Sequence, residues 1–304
     1  MAARTPAAAW PKVVSYAETT KFRSVILLSL GTVVGGVASL AAVPPGPARQ
    51  AAWVRLAWAT AAAVLACSGA NAITGYIDRN MDAVMERTKH RPLPTGRLAP
   101  AESLWFGIAL VAAGALTALA AANVWTTAWL VFGVLDSTVV YNGLSKPRTP
   151  LNVILGSPAG GAPVMMGLAA VAGVPFRLVP FLVAALVVVW TPVHIWSLTI
   201  RHVDDYRRAG VPMLPVVIGV PKAARCVGAA SLALCATAFV LGRAAGFSPA
   251  ALGLTVALQA PIVWESLAVM RRPSAARARL LFKLTSPYLA AVFGLVIWQS
   301  LAAL

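Results

Sequence analysis

Apolar positions along this chain come in long unbroken runs, not in the alternating or one-faced patterns of a soluble domain. From Val25 to the C-terminus the runs approach ~20 residues, the length a helix needs to cross a bilayer, and short segments between them hold most of the charge. Nine spans are predicted, over residues 24–43, 52–76, 102–121, 124–142, 151–172, 178–200, 223–242, 249–269 and 282–303. Within hydrocarbon a backbone satisfies its own N–H and C=O groups only as a helix or a closed barrel. Runs of this length therefore predict an all-α fold, a polytopic membrane bundle of about nine transmembrane helices. Residues 1–23 read as a cytoplasmic N-terminal segment and residues 24–304 as a single transmembrane domain.

Composition agrees: of 304 residues, 59% are hydrophobic and only 11% charged, too few charges to clothe a soluble surface. The net charge of +16 changes the picture through its distribution. With the N-terminus in the cytoplasm, 21 of the 25 Lys and Arg fall on the cytoplasmic side, and only Arg49, Arg55, Arg177 and Arg243 fall on the other. That is the asymmetry of the positive-inside rule. No basic stripe interleaved with aromatics appears, so no nucleic-acid partner is expected. The expected location is a cell (inner) membrane, multi-pass, with the N-terminus and the active site on the cytoplasmic side and membrane lipid around the bundle. No separate apolar core and cleavage site precede the first span, so a removed signal peptide is not expected. Cys67, Cys226 and Cys235 lie in apolar spans without ligand-like spacing and read as packing residues.

Charge near hydrocarbon is costly unless paired or hydrated, so the acids of a membrane protein point to its function. Only nine exist, and Asp78, Asp82, Glu86, Asp204 and Asp205 lie in two segments assigned to the cytoplasmic face. If span two continues as a helix, Asn71, Asp78 and Asp82 share one face, with the two aspartates one turn apart. Two such carboxylates suit Mg²⁺, which is commonly held by one or two carboxylates together with substrate phosphates. Arg87, Lys89, Arg91 and Arg97 follow as diphosphate contacts, and the helix is expected to break at Arg91-Pro92-Leu93-Pro94. The second segment repeats the order of acids, bases and a proline turn at Asp204, Asp205, Arg207, Arg208, Pro212 and Pro215. Adjacent residues on a helix point ~100° apart, so one of Asp204 and Asp205 is expected to bind metal directly and the other to orient it.

At these residues the chain resembles the UbiA-type intramembrane prenyltransferases, and within them the haem-farnesylating branch. The resemblance is carried by Y76-I-D-R-N-M-D-A-V-M-E-R-T-K-H-R-P-L-P-T-G96, K146-P-R-T-P-L-N152, W190-T-P-V-H-I-W196, D204-D-Y-R-R-A-G-V-P-M-L-P-V-V217 and F282-K-L-T-S-P-Y-L289. It runs from about Lys21 to Leu289. It implies nine helices around a central cavity, with Mg²⁺ as cofactor and farnesyl diphosphate and haem B as substrates. Attack of a haem vinyl group on the farnesyl cation, completed by water, would give haem O for respiratory oxidase assembly, with haem-handling or oxidase-assembly proteins as partners. The resemblance places Asp78, Asp82, Asp204 and Asp205 in the catalytic set, with Asp78, Asp82 and Asp205 on metal, and Arg87, Lys89, Arg91, Lys146 and Arg148 on phosphate. Asn71, Thr74, Asn152, His194 and Tyr206 are expected to support the motifs or the acceptor pocket. The chain departs from the family pattern at Thr74, where Asn is usual, and at Asn80, Val193 and Lys21-Phe22-Arg23.

Several readings stand open at this point. The acceptor is haem B, or else a quinone precursor, a chlorophyll-type alcohol or a lipid glycerol. A transporter is a third class, but transport predicts acids near the bilayer midplane, whereas these lie at one face. His194 is a pocket residue or a core histidine, and Asp136, inside span four, lines a cavity or is buried against a hydrogen-bond donor. The small residues of Gly156–Gly167 permit close helix packing or an irregular helix.

Overall fold

Residues 12–304 are described by a computed structural model of the chain. Arg4 and the rest of residues 1–11, the start of the expected N-terminal segment, lie outside the described residues. A short helix, α1 (Lys12–Thr20), precedes the first span, α2 (Phe22–Val37), which ends in a 3₁₀ turn at Leu40–Ala42. Span two is α3 (Pro47–Val84), and span three is α4 (Pro100–Ala121). Span four joins α5 (Val124–Leu135) to a π-helical segment, Asp136–Ser145, and span five joins α6 (Asn152–Gly156) to α7 (Pro158–Ala172). Span six is α8 (Leu178–Arg201), followed by α9 (Val203–Arg208) and α10 (Leu214–Ile218). The last three spans are α11 (Val220–Ala244), α12 (Pro249–Arg271) and α13 (Ala275–Ala302). Among the described residues nine helical spans are long and apolar enough to cross a membrane, as the hydropathy predicts. The chain is a multi-pass, all-α membrane protein.

Local chemistry sets the helix ends. Pro47, Pro100 and Pro249 open α3, α4 and α12 at positions where a missing N–H is harmless. Asn123, Ser248 and Ser274 accept from Thr126 N, Ala251 N and Arg277 N, capping α5, α12 and α13. Lipid offers no hydrophobic drive between helices, so close backbone approach through small residues takes its place. Gly69 of α3 and Gly107 of α4 face each other so closely that a Cβ on either would lie 2.5 or 2.8 Å from the other's carbonyl oxygen. Gly35 of α2 and Gly167 of α7 are locked in the same way against the backbones of Val164 and Thr32. Helix α7, buried from Gly161 to Val171, packs against α2, α5 and α8 at the centre of the bundle. Gly156–Gly167 thus does both things its composition allowed: the span is interrupted at Ser157 and packs tightly beyond it.

Two features depart from the sequence expectation. Span two has 38 residues, ~57 Å at 1.5 Å per residue, and so outruns a hydrocarbon core of ~30 Å. Its last turns, carrying Asp78 and Asp82, extend past the apolar stretch. The helix also ends at Val84, not at Arg91-Pro92. Met85 turns extended and buries its side chain completely, and the Thr88 hydroxyl donates to Asp82 O at 3.1 Å, so tertiary anchoring stops the helix before any proline is reached. Cys67, Cys226 and Cys235 are unpaired and partly buried.

Candidate active site

Four chain segments converge on the end of α3: the α1–α2 junction, the end of span four, the loop after α3, and α9. Asp78 and Asp82 lie one turn apart on α3, and each is engaged by a cation. Asp78 Oδ2 accepts from Lys146 Nζ at 2.6 Å, and the same ammonium reaches Asn142 Oδ1 at 3.2 Å. Asp82 Oδ2 accepts from Arg91 Nη1 at 2.8 Å, and its side chain is only 3% exposed. Across from them, buried Asp205 pairs closely with Arg208, accepts from Glu86 N at 3.4 Å and lies 3.9 Å from His202 Nδ1. Asp204 diverges from it: its side chain is 73% exposed and pairs with Arg207 at 2.5 Å on the surface.

The geometry of span four explains why Lys146 reaches Asp78. In the π-helical turn Lys146 N bonds Tyr141 O at 2.8 Å, five residues back, so Tyr141 and Lys146 stack on one face instead of diverging as in an α-helix. The ammonium lies 5.7 Å from the Tyr141 ring centre, within cation–π range. Tyr141 in turn neighbours Tyr206 and feels the charges of Asp78 and Arg87.

Lys21 enters from the α1–α2 junction. It is the one non-glycine residue with positive φ (52°) among the described residues, a left-handed conformation that costs roughly 1–2 kcal/mol. Asn71 holds it there by donating to Thr20 O at 2.8 Å and to Ser24 Oγ at 3.3 Å. Lys21 Nζ then donates to Thr74 Oγ1 at 3.3 Å. Burial, reinforced by Arg91 and opposed by Asp78, pushes the Lys21 ammonium down to about 8. His202 is also held below its ordinary value, by burial first and then by Arg201 and Arg87.

The layer is short of carboxylates. Lys146, Arg91 and Arg208 pair with Asp78, Asp82 and Asp205, while Lys21 and Arg87 have no carboxylate at ion-pair distance among the described residues. Arg87 Nη2 reaches Tyr206 Oη at 3.5 Å, and its Nε is buried with no partner. Asn152 donates to Thr149 O at 2.6 Å and leaves Oδ1 buried and unpartnered. Three of the expected phosphate contacts are turned elsewhere, Arg97 onto Glu18 at 2.7 Å. Lys89 pairs with Glu86 on the surface, and Arg148 caps Gly143 O and Leu144 O at the end of span four. A polar cavity of about 520 Å³, lined by Glu18, His90, Arg91, Pro92 and Arg97, opens beside the Asp82–Arg91 pair.

No three His, Cys, Asp or Glu side chains close into a metal cage among the described residues. The oxygens present nonetheless fit Mg²⁺, which takes one or two carboxylates and completes its shell with water and phosphate. Asp78 and Asp82 would supply that pair from one rigid helix face, with Asp205 held at Glu86 N just beyond the helix end.

Asp136 and His194 also lie within the spans. Asp136 Oδ2 accepts from Ala159 N at 2.8 Å, capping the start of α7 where span five is interrupted. It is buried against a donor, the second of its two sequence readings. His194 on α8 lies between the rings of Trp190 and Phe282, with Nδ1 2.7 Å from Thr285 Oγ1 of α13.

The UbiA prenyltransferase family matches residues 26–287, a stretch holding every member of this layer except Lys21. The chain belongs to the UbiA prenyltransferase family. It is 35% identical over 269 residues to the protoheme IX farnesyltransferase of Thermoplasma acidophilum, covering 88% of this chain and 92% of that one. Its fold is that of other UbiA enzymes. A structure of digeranylgeranylglyceryl phosphate synthase superimposes with a TM-score of 0.70 at 16% identity, covering 96% of this chain and 98% of that one. A UbiA homologue from Archaeoglobus fulgidus bound to DMAPP and Mg²⁺ superimposes with a TM-score of 0.63 at 16% identity, covering 92% and 99%. Sequence reasoning missed two residues of the layer in this UbiA chain, Lys21 and Tyr141. The signal for Tyr141 was its place five residues before Lys146, and for Lys21 its place in Lys21-Phe22-Arg23 at the mouth of span one, where the chain departs from the family pattern.

Proposed function

We propose that this protein transfers a farnesyl group from farnesyl diphosphate to a vinyl group of haem B, giving haem O for respiratory oxidase assembly. The observation that carries the first half is the charge imbalance of the layer. Half-buried cations without carboxylates, Lys21 and Arg87, call for an anion that the protein does not supply, and a diphosphate supplies it. The haem half is supported by the relative from Thermoplasma acidophilum, matched over most of both chains, and by the motifs that distinguish the haem-farnesylating branch.

In this reading Arg87 and Lys21 bind the diphosphate, and Lys146 and Arg91 exchange carboxylate for phosphate oxygens when it arrives. Asp78 and Asp82 would hold one Mg²⁺ and Asp205 a second, and these ions would neutralise charge on the departing diphosphate. The bond between farnesyl C1 and oxygen breaks with its electrons leaving on the diphosphate, and the vinyl π electrons form the new bond to C1. Water then adds to the resulting cation and releases a proton. The apolar bundle below the layer keeps other water from the allylic cation. The active layer faces the cytoplasm of a cell membrane, and haem-handling or oxidase-assembly proteins receive the product.

The test is purified protein in detergent with Mg²⁺, farnesyl diphosphate and haem B, followed by pigment mass. The expected product is haem heavier by one hydroxylated farnesyl group. Unchanged haem, with prenylation of a quinone precursor, a chlorophyll-type alcohol or a lipid glycerol offered instead, would overturn the acceptor assignment.

A further inference from the structure

We propose that His194 Nε2 is an axial ligand to the iron of the porphyrin acceptor, an inference that rests on the haem reading above. The hydroxyl of Thr285 has one proton, and Oγ1 lies 2.8 Å from Phe282 O, a carbonyl that can only accept. With that proton donated to Phe282 O, Oγ1 turns a lone pair toward His194 Nδ1 at 2.7 Å. Nδ1 therefore carries the imidazole proton, and Nε2 is left with its lone pair. Fixing the tautomer through the other ring nitrogen is how proteins prepare histidines for metals.

The ring is also fixed in orientation. Trp190 stacks on one side at 4.4 Å and 20°, and Phe282 on the other at 4.2 Å and 30°. Trp190 is itself anchored by Nε1 donating to Thr285 O at 2.8 Å. One turn of α13 thus holds the imidazole and its stacking partner together. Nε2 has no hydrogen-bond partner among the described residues, and it is not among the sealed, unpartnered polar atoms. His194 remains half-buried although Trp190 and Thr285 are buried.

A histidine kept only for packing would leave Nε2 either bonded or sealed. This one is neither, and its ring lies against the aromatic faces of Trp190 and Phe282, a setting that suits an iron porphyrin. The other two histidines do not compete: His90 is exposed in the loop after α3, and His202 faces Asp205. His194 lies seven residues before the end of α8, ~10 Å along the helix axis from the level of the diphosphate layer. Iron held there leaves the porphyrin edge, with its vinyl groups, free to approach that layer. Ligation adds the lone pair of Nε2 to iron in place of a water and moves no electron between the metal and the protein. It makes the iron itself part of what the enzyme selects.

The test uses full-length protein labelled with ¹⁵N-histidine and loaded with ferrous haem B, without farnesyl diphosphate. Resonance Raman spectra are expected to show an iron–imidazole stretch that moves with the label. His194→Ala should lose this band and regain one on addition of free imidazole, while His90→Ala and His202→Ala keep it. Thr285→Val, which frees the tautomer, should weaken haem binding by about 10-fold or more. Bound haem that shows no iron–imidazole band in the unmutated protein, or a band that survives in His194→Ala, overturns the ligation. If such haem is still farnesylated, the acceptor assignment stands without it; if haem is neither bound nor farnesylated, both fall.

Discussion

Lys146 Nζ lies 2.6 Å from Asp78 Oδ2, with both side chains about nine-tenths buried, so a cation from span four occupies the first carboxylate of span two. Removing one member of a buried pair strands the other, at a cost of about 3 kcal/mol or more. Lys146→Met should therefore lower the unfolding temperature and reduce kcat/KM for farnesyl diphosphate by about 100-fold or more. Combining it with Asp78→Asn should recover most of the stability and none of the turnover. Thermal melts and steady-state kinetics on the three proteins check this.

Asp204 and Asp205 are neighbours with opposite exposure. Asp205→Ala leaves Arg208 and Glu86 N without their acceptor and should abolish turnover. Asp204→Ala removes only a surface pair, worth about 0–1 kcal/mol, and should keep turnover within a few-fold. Equal losses in both variants would place Asp204 in the working set.

Lys21 gives a pH dependence of definite sign. Its ammonium, 10.5 in the ordinary case, is held at about 8 in the fold, so between these values the unfolded chain binds more protons than the folded one. Folded stability is lowered in full below pH 8 and rises as pH increases from about 8 toward 10. Lys21→Met should flatten that rise in the ligand-free protein. Affinity for the diphosphate should move the other way, weakening as pH climbs through 8 and the ammonium is lost. Titrating the melting temperature and the KM of both proteins separates the two effects.

Asp136 is a cap in this structure. Asp136→Ala leaves Ala159 N without an acceptor and should cost about 1–3 kcal/mol, with kcat little changed in the protein that folds. Asp136→Asn retains an accepting oxygen and should stay near the original stability. A thermal melt of each variant decides it.

Much of this arrangement was legible in the chain because its causes are local. Hydropathy alone locates the spans, and a continuous helix through Val84 puts Asp78 and Asp82 on one face. What escaped has tertiary causes. Lys21 joins the layer across 53 positions from Thr74, through a left-handed turn at a residue that carries no signal for one. The π-helical register that sends Lys146 to Asp78 has no propensity signature in D136-S-T-V-V-Y-N-G-L-S145. Helix α3 stops at Met85 because that side chain is pulled into the core, and the nearby prolines drew attention to the wrong place. Asp136 reads as a lone acid until α7 places Ala159 N against it.

The most direct test of the account is calorimetric binding of farnesyl thiodiphosphate, an analogue that resists ionisation. Tight binding is expected only with Mg²⁺ present, lost in Asp78→Ala and in Asp82→Ala and strongly weakened in Arg87→Met. Binding that is indifferent to Mg²⁺, or equally tight in all three variants, would contradict a diphosphate site at this layer.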